Sequence, residues 1–174
     1  MSERIGLGWA RGIGFLMGVA AAFALLLSWR VPGGDGRLGA DVLVAAASTG
    51  EIAVARPGPL LSATGMSPGS EAAAGSLTIY NRSPLTMSVH VKAVPSNHDL
   101  DDLLWVSIEA NGDNLYRGPL GTLSEGTPNG FLLAPGDGRD LSISAWLPTS
   151  AGSGYEARIA SIDLTFDTTP VGSR

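Results

Sequence analysis

Residues 66–93 read MSPGSEAAAGSLTIYNRSPLTMSVHVKA, and this stretch decides the fold. Pro68-Gly69 is a turn dipeptide, because Pro presets φ and Gly tolerates positive φ. Apolar and polar residues alternate over Ser76–Tyr80 and again over Met87–Ala93, with the break at Asn81–Pro84 between them. A period of two residues is typical of a strand with one buried face. We therefore expect two strands that pair antiparallel at the centre of an all-β domain.

Similar patterns outside this stretch predict the rest of the domain. Asn111-Gly112 supplies the positive φ values that a tight hairpin turn needs. Ser96–Leu104 has acids in its first turn and leucines at helical spacing, which predicts one short helix. Near Ala160-Ser161 the alternation changes phase, which predicts a bulge. Many short strands at regular spacing favour a two-sheet antiparallel sandwich of the jelly-roll type. The further predicted strands are Asp41–Ala47, Glu51–Ala55, Leu60–Ala63, Trp105–Ala110, Leu115–Arg117, Phe131–Leu133, Leu141–Leu147 and Tyr155–Asp167.

Composition and motifs argue against several function classes. A net charge of -5 argues against nucleic acid as a partner, since phosphate binding depends on Lys and Arg. The absence of cysteine excludes disulfides, thiolate zinc sites and cysteine nucleophiles. His90 and His98 are the only histidines, and neither an H-E-x-x-H motif nor a G-x-S-x-G motif is present. We therefore expect no enzyme, catalytic residue, metal or cofactor. Calcium binding stays an open alternative, although the sequence has no EF-hand pattern. Its candidate ligands are the acids Asp99, Asp101, Asp102, Glu125, Asp137 and Asp140.

The N-terminal region has the pattern of an export or membrane segment. Gly12–Trp29 carries no charge, and Arg11 and Arg30 flank it. As a helix it would span roughly 27 Å, near the bilayer's apolar thickness of about 30 Å. Residues 1–29 are thus predicted to be a signal peptide or an uncleaved signal anchor, 30–39 a Gly-rich linker, 40–170 the sandwich and 171–174 a tail. The membrane contacts are assigned to Gly12, Phe15, Leu16, Phe23, Leu25, Leu26, Leu27 and Trp29.

Three stretches together resemble the TasA/camelysin family of exported β-sandwich proteins. They are the Ser-Pro-Gly turn with Ser76–Asn81 (SLTIYN), Asp99–Gly112 (DLDDLLWVSIEANG), and Leu133–Pro148 (LAPGDGRDLSISAWLP) followed by Ile162–Asp167. The resemblance implies a jelly-roll domain, export and, for some members, assembly into extracellular fibres of a biofilm matrix. Camelysin-type relatives are described as metalloproteases, an activity for which this sequence offers no motif.

Two functional hypotheses follow. The first is an extracellular or membrane-tethered structural protein that forms homo-oligomers or fibres by strand addition. The candidate donor strand is Asp41–Ala47, and the residues assigned to the donor site are Asp41, Val42, Leu43, Val44 and Ala45. The alternative is a monomeric, surface-tethered binding module for a glycan or a protein. Trp105 and Trp146 lie on the polar side of their strands, either as sugar-stacking platforms or as a second buried face.

Overall fold

The computed structural model describes residues 39–95 and 100–172. The predicted membrane segment and nearly all of the predicted linker lie outside the described residues. Within the described residues, no helix has the length and apolar character needed to cross a bilayer.

The described residues form ten strands in two five-stranded sheets. Sheet A has the order β3 (Gly58–Met66), β1 (Ala40–Ala46), β10 (Ile159–Pro170), β5 (Met87–Pro95) and β8 (Phe131–Leu133). Sheet B has the order β2 (Ile52–Val54), β4 (Ala73–Asn81), β9 (Gly138–Trp146), β6 (Trp105–Ala110) and β7 (Asp113–Pro119). Neighbouring strands pair antiparallel in both sheets, except that β1 and β10 run parallel. The predicted all-β, two-sheet architecture is therefore confirmed.

Both sheets contribute one face to a common hydrophobic core. The predicted alternation is confirmed in β4, where Leu77 and Ile79 are buried, and in β5, where Val89 and Val91 are fully buried. The outward side chains between them are polar or small, as expected for a sheet with one face in water. Burial thus follows the period of two that the sequence predicts.

The predicted pairing of these two strands with each other is wrong. β4 lies in sheet B between β2 and β9, whereas β5 lies in sheet A between β10 and β8. The connection crosses from one sheet to the other, and the buried Asn81 side chain holds it in place. Its amide donates hydrogen bonds to the carbonyls of Leu85 and Leu133 at 2.8 and 2.9 Å, and its Oδ1 accepts one from the Ser83 N–H at 2.8 Å. After this turn the chain continues into the opposite sheet and does not return along β4.

The described part of the predicted short helix is a single turn, and two further short helices lie outside the predicted segment. Residues 100–104 contain one turn, in which the Leu104 N–H donates to the Leu100 carbonyl at 2.8 Å, and the chain then enters β6. The start of the predicted helix, residues 96–99, lies outside the described residues. The described chain also has 3-10 helices at Leu120–Glu125 and Thr149–Ala151, both in segments for which neither strand nor helix is predicted. In the first of these, Leu120 and Leu123 are buried, so packing outweighs the local preference for a loop.

The predicted bulge near Ala160-Ser161 is also wrong. β10 keeps a continuous register with β1 and with β5. Ala160 is buried in phase with Ile162, and the apparent change of phase arises because the strand begins only at Ile159. Ala157, before it, has a φ of 57° and belongs to the preceding turn.

Candidate functional site

The predicted donor segment forms an interior strand of sheet A. β1 fills the gap between β3 and β10, which we call the β1 slot. Val44 is the register partner of Leu61 on the antiparallel side and of Ile162 on the parallel side. Val42 and Val44 face the core, and each is 1% exposed. All five predicted donor residues, Asp41 to Ala45, lie within this strand.

The start of β1 is held by a close backbone approach. A Cβ atom added to Gly39 would lie 2.3 Å from the carbonyl carbon of Gly65, so the two segments touch through backbone atoms alone. The Gly65 N–H also donates a hydrogen bond to Oδ1 of Asp41 at 2.9 Å. Because glycine has no side chain, it allows this approach, which a larger residue would block. Two glycines and one carboxylate therefore hold the start of β1 against β3.

The side chains of β1 make its place in the sheet energetically important. Full burial of a valine side chain is worth about 1.5–3 kcal/mol, so Val42 and Val44 together contribute about 3–6 kcal/mol. Native domains are stable by only about 5–15 kcal/mol in total. An empty β1 slot would therefore leave the domain marginal at best, and it would also leave the facing edges of β3 and β10 unpaired.

A short hinge, residues 47–51, joins β1 to β2. The N–H groups of Thr49 and Ile52 each donate to the carbonyl of the other residue at 3.0 Å. Gly50 has a φ of 55°, and the Ser48 hydroxyl accepts a hydrogen bond from the Val54 N–H at 2.9 Å. The hinge is a tight turn, and it must open if β1 is to leave its slot.

The two tryptophans predicted on polar faces lie together on the outer face of sheet B. Trp105 and Trp146 are cross-strand neighbours on β6 and β9, with ring centroids 6.1 Å apart and planes tilted by 51°. The guanidinium carbon of Arg117 on β7 lies 5.4 Å from the ring centroid of Trp146, within the range of a cation–π contact. Both indoles are half-buried. Their exposure is therefore intermediate between that of an exposed sugar-stacking platform and that of a buried second face. The sequence pattern had placed the indoles but not Arg117 beside them.

The titratable side chains do not gather into a metal centre in the described part of the chain. Across residues 39–95 and 100–172, no three histidine or carboxylate side chains are close enough to hold an ion. His90 Nδ1 lies 2.9 Å from the Thr127 carbonyl, and Asp140 accepts a hydrogen bond from Thr78 at 2.6 Å. His98 and Asp99, which belong to the acidic segment considered for calcium, lie outside the described residues.

Comparisons with known proteins add no relative. No protein-family model matches the chain, and no curated protein matches it. The resemblance to the TasA/camelysin family therefore rests on the quoted stretches of sequence, and what it implies is carried forward as a proposal.

Proposed function

We propose that this chain is a cell-surface structural protein of the TasA/camelysin type, exported or tethered through residues 12–29, that self-assembles by exchange of β1. The observation that carries the proposal is the position of β1 as an interior strand of sheet A, between β3 and β10. The proposed function includes no catalytic activity and no cofactor. Its partners are the membrane, at least during export, and further copies of the same chain.

The strand order supports a jelly roll as the underlying fold. If β1 and β2 are left aside, the eight strands β3 to β10 have the orders β3-β10-β5-β8 and β4-β9-β6-β7. Two four-stranded sheets with these strand orders, between which the chain crosses repeatedly, are typical of a jelly roll. In this reading β1 is an additional strand inserted between the first and the last strand of the roll.

The place of β1 makes exchange sterically simple. β1 precedes the eight strands in sequence, so it can leave the slot when the hinge at residues 47–51 opens, without the other strands coming apart. Exchange of an identical element rebuilds the same contacts in a neighbouring copy, which makes it a low-cost route to assembly. Short hinges favour such exchange. Each copy would thus donate its β1 to the next, and a head-to-tail arrangement of this kind propagates as a fibre when it does not close.

A pair of engineered cysteines tests the exchange. Leu43 and Ser161 are register partners across β1 and β10, and both are half-buried on the outer face of sheet A. The native chain has no cysteine, so no native thiol competes for the bond in the variant Leu43→Cys/Ser161→Cys. Full-length protein in detergent is oxidised at rising concentration and run on a non-reducing denaturing gel. We expect a covalent ladder that grows with concentration and collapses to one band on reduction.

The matched control introduces two cysteines into a pair of strands that are not proposed to exchange. Ser88 and Thr169 are register partners across β5 and β10. The variant Ser88→Cys/Thr169→Cys should give a monomer band at every concentration. If Leu43→Cys/Ser161→Cys also stays monomeric at all concentrations, exchange is refuted and the alternative of a monomeric binding module is favoured.

A further inference from the structure

The outer face of sheet B carries an open groove of about 400 Å³. This volume falls within the range of roughly 300–1,000 Å³ that is usual for small-molecule sites. Ser107 and Ser144, which are register partners on β6 and β9, line it together with Trp146, Arg117 and Glu109. Ser70, from the segment before β4, also lines the groove.

The strand register explains how these side chains meet. Arg117, Ser107 and Ser144 form one row across β7, β6 and β9. On the same face of the sheet, the tryptophan pair lies two residues from this row in one direction along the strands, and Glu109 lies two residues from it in the other direction. The result is a small hydroxyl-bearing floor with an indole on one side, a carboxylate on the other and a guanidinium at the end.

The two charges in the groove disfavour both a simple anion and a simple cation as its ligand. In the described part of the chain, neither Arg117 nor Glu109 takes part in an ion pair, and the contact seen for Arg117 is with the Trp146 ring. An anion would be attracted by Arg117 but repelled by Glu109, and a cation would meet the reverse. A neutral polyhydroxyl ligand satisfies both, because its hydroxyl groups accept hydrogen bonds from the guanidinium and donate them to the carboxylate.

The indole adds a second criterion. A pyranose ring has an apolar C–H face and a polar rim, which match an aromatic wall beside convergent polar groups. Serine hydroxyls on the floor donate and accept, so they suit sugar hydroxyls in either orientation. We infer that this groove binds neutral hexopyranose residues of a glycan, with Trp146 as the apolar wall and Arg117 and Glu109 as the hydrogen-bonding pair.

This inference is independent of strand exchange. The groove lies on the outer face of sheet B, whereas the β1 slot lies in sheet A. Glycan binding can therefore be present or absent whether or not the chain assembles, and the two sets of variants share no residue.

Isothermal titration calorimetry on the full-length chain, in a zwitterionic detergent without a sugar headgroup, tests the inference. The probes are the neutral cellohexaose, maltohexaose and mannohexaose, with hexagalacturonate as the acidic arm. We expect at least one neutral probe to bind with a Kd below about 1 mM. Trp146→Ala and Glu109→Gln should each weaken this binding about tenfold or more. Tyr80→Ala removes a 43% exposed aromatic from the same sheet outside the groove and should leave the Kd unchanged.

Glu109→Gln keeps the shape of the side chain, so it tests the site even if Trp146→Ala fails to fold, which circular dichroism would reveal. Failure of all three neutral probes to bind would overturn the inference. So would binding of hexagalacturonate alone, or full affinity retained in a folded Glu109→Gln variant.

Discussion

Val44 of β1 and Ile162 of β10 are partners in a parallel pairing, and each of these core side chains is 1% exposed. This contact joins the first described strand of the domain to the last. Parallel pairing between them requires that the chain leave β1, pass through both sheets and return in the same direction. The contact therefore joins residues that lie far apart in the chain.

Truncation of Val44 should destabilise the domain. Val44→Ala removes two methyl groups from the core, and we expect the free energy of unfolding to fall by about 1.5–3 kcal/mol. Chemical denaturation of the full-length chain measures the change. Val94→Ala is the matched control, because Val94 lies in the same sheet but is 52% exposed, and its effect should stay within about 0.5 kcal/mol. Equal losses in the two variants would contradict the interior position of β1.

Asp163 gives the fold a defined pH dependence. Burial raises the pKa of its carboxyl group above the ordinary value. The folded state therefore disfavours the ionised form, and stability falls as the pH rises from the unfolded pKa, about 4, through the raised folded pKa. Asp163→Asn removes this penalty, so its Tm should exceed that of the native chain at pH 7 and match it near pH 3.

Thermal unfolding from pH 3 to pH 8 checks this prediction. Asp113→Asn, on the exposed side of the hairpin turn, removes the same formal charge and serves as the control. A gain in Tm for Asp163→Asn that is the same at pH 3 and pH 7 would show that the cause is not the carboxylate charge.

The buried Asn81 amide should be costly to remove. Asn81→Ala leaves the carbonyl of Leu133 without the amide donor that now serves it, and an unsatisfied buried polar group costs about 1–3 kcal/mol. We expect a loss of this size in urea denaturation. Asn129→Ala, at an exposed loop position, should change the unfolding free energy by less than about 0.5 kcal/mol. If Asn81→Ala were equally mild, the amide would not hold the connection between the sheets.

Gly75 marks a point where β4 passes close to β3. A Cβ atom at Gly75 would lie 2.4 Å from the backbone oxygen of Leu60, so Gly75→Ala forces the two strands apart. Overpacking of this kind costs about 1–3 kcal/mol, which differential scanning calorimetry would register as a lower Tm. Ser76→Ala, one residue along and exposed, should leave the Tm nearly unchanged. A native-like Tm for Gly75→Ala would refute the close approach.

The sequence pattern predicted which side of each strand faces inward better than which strands are neighbours. Alternation places Leu77, Ile79 and Val89 in the core, because burial depends on a local period of two. The same alternation does not distinguish a hairpin from a crossing between sheets, so β4 and β5 were wrongly paired. Pairing depends on contacts between residues far apart in sequence, such as Leu77 with Leu141.

The candidate sites follow the same division. Asp41–Ala47 was identified as a strand from its apolar residues, but its place between β3 and β10 is a property of the whole sheet. Trp105 and Trp146 were assigned to polar faces from their alternation. Arg117 lies beside them only because of the register of β6 with β7. This register contains an irregularity between Ile108 and Glu109 that no local motif predicts.

The parallel pairing of β1 with β10 also determines how the domain bears mechanical load. The N-terminal end of β1 lies beside the start of β10, so tension between Ala40 and Pro170 pulls the two strands lengthwise past each other. All six residue pairs from Asp41–Ile159 to Ala46–Leu164 are then strained in shear at the same moment, and they are not peeled apart one after another. A domain stretched along this axis resists extension through its whole ladder of hydrogen bonds.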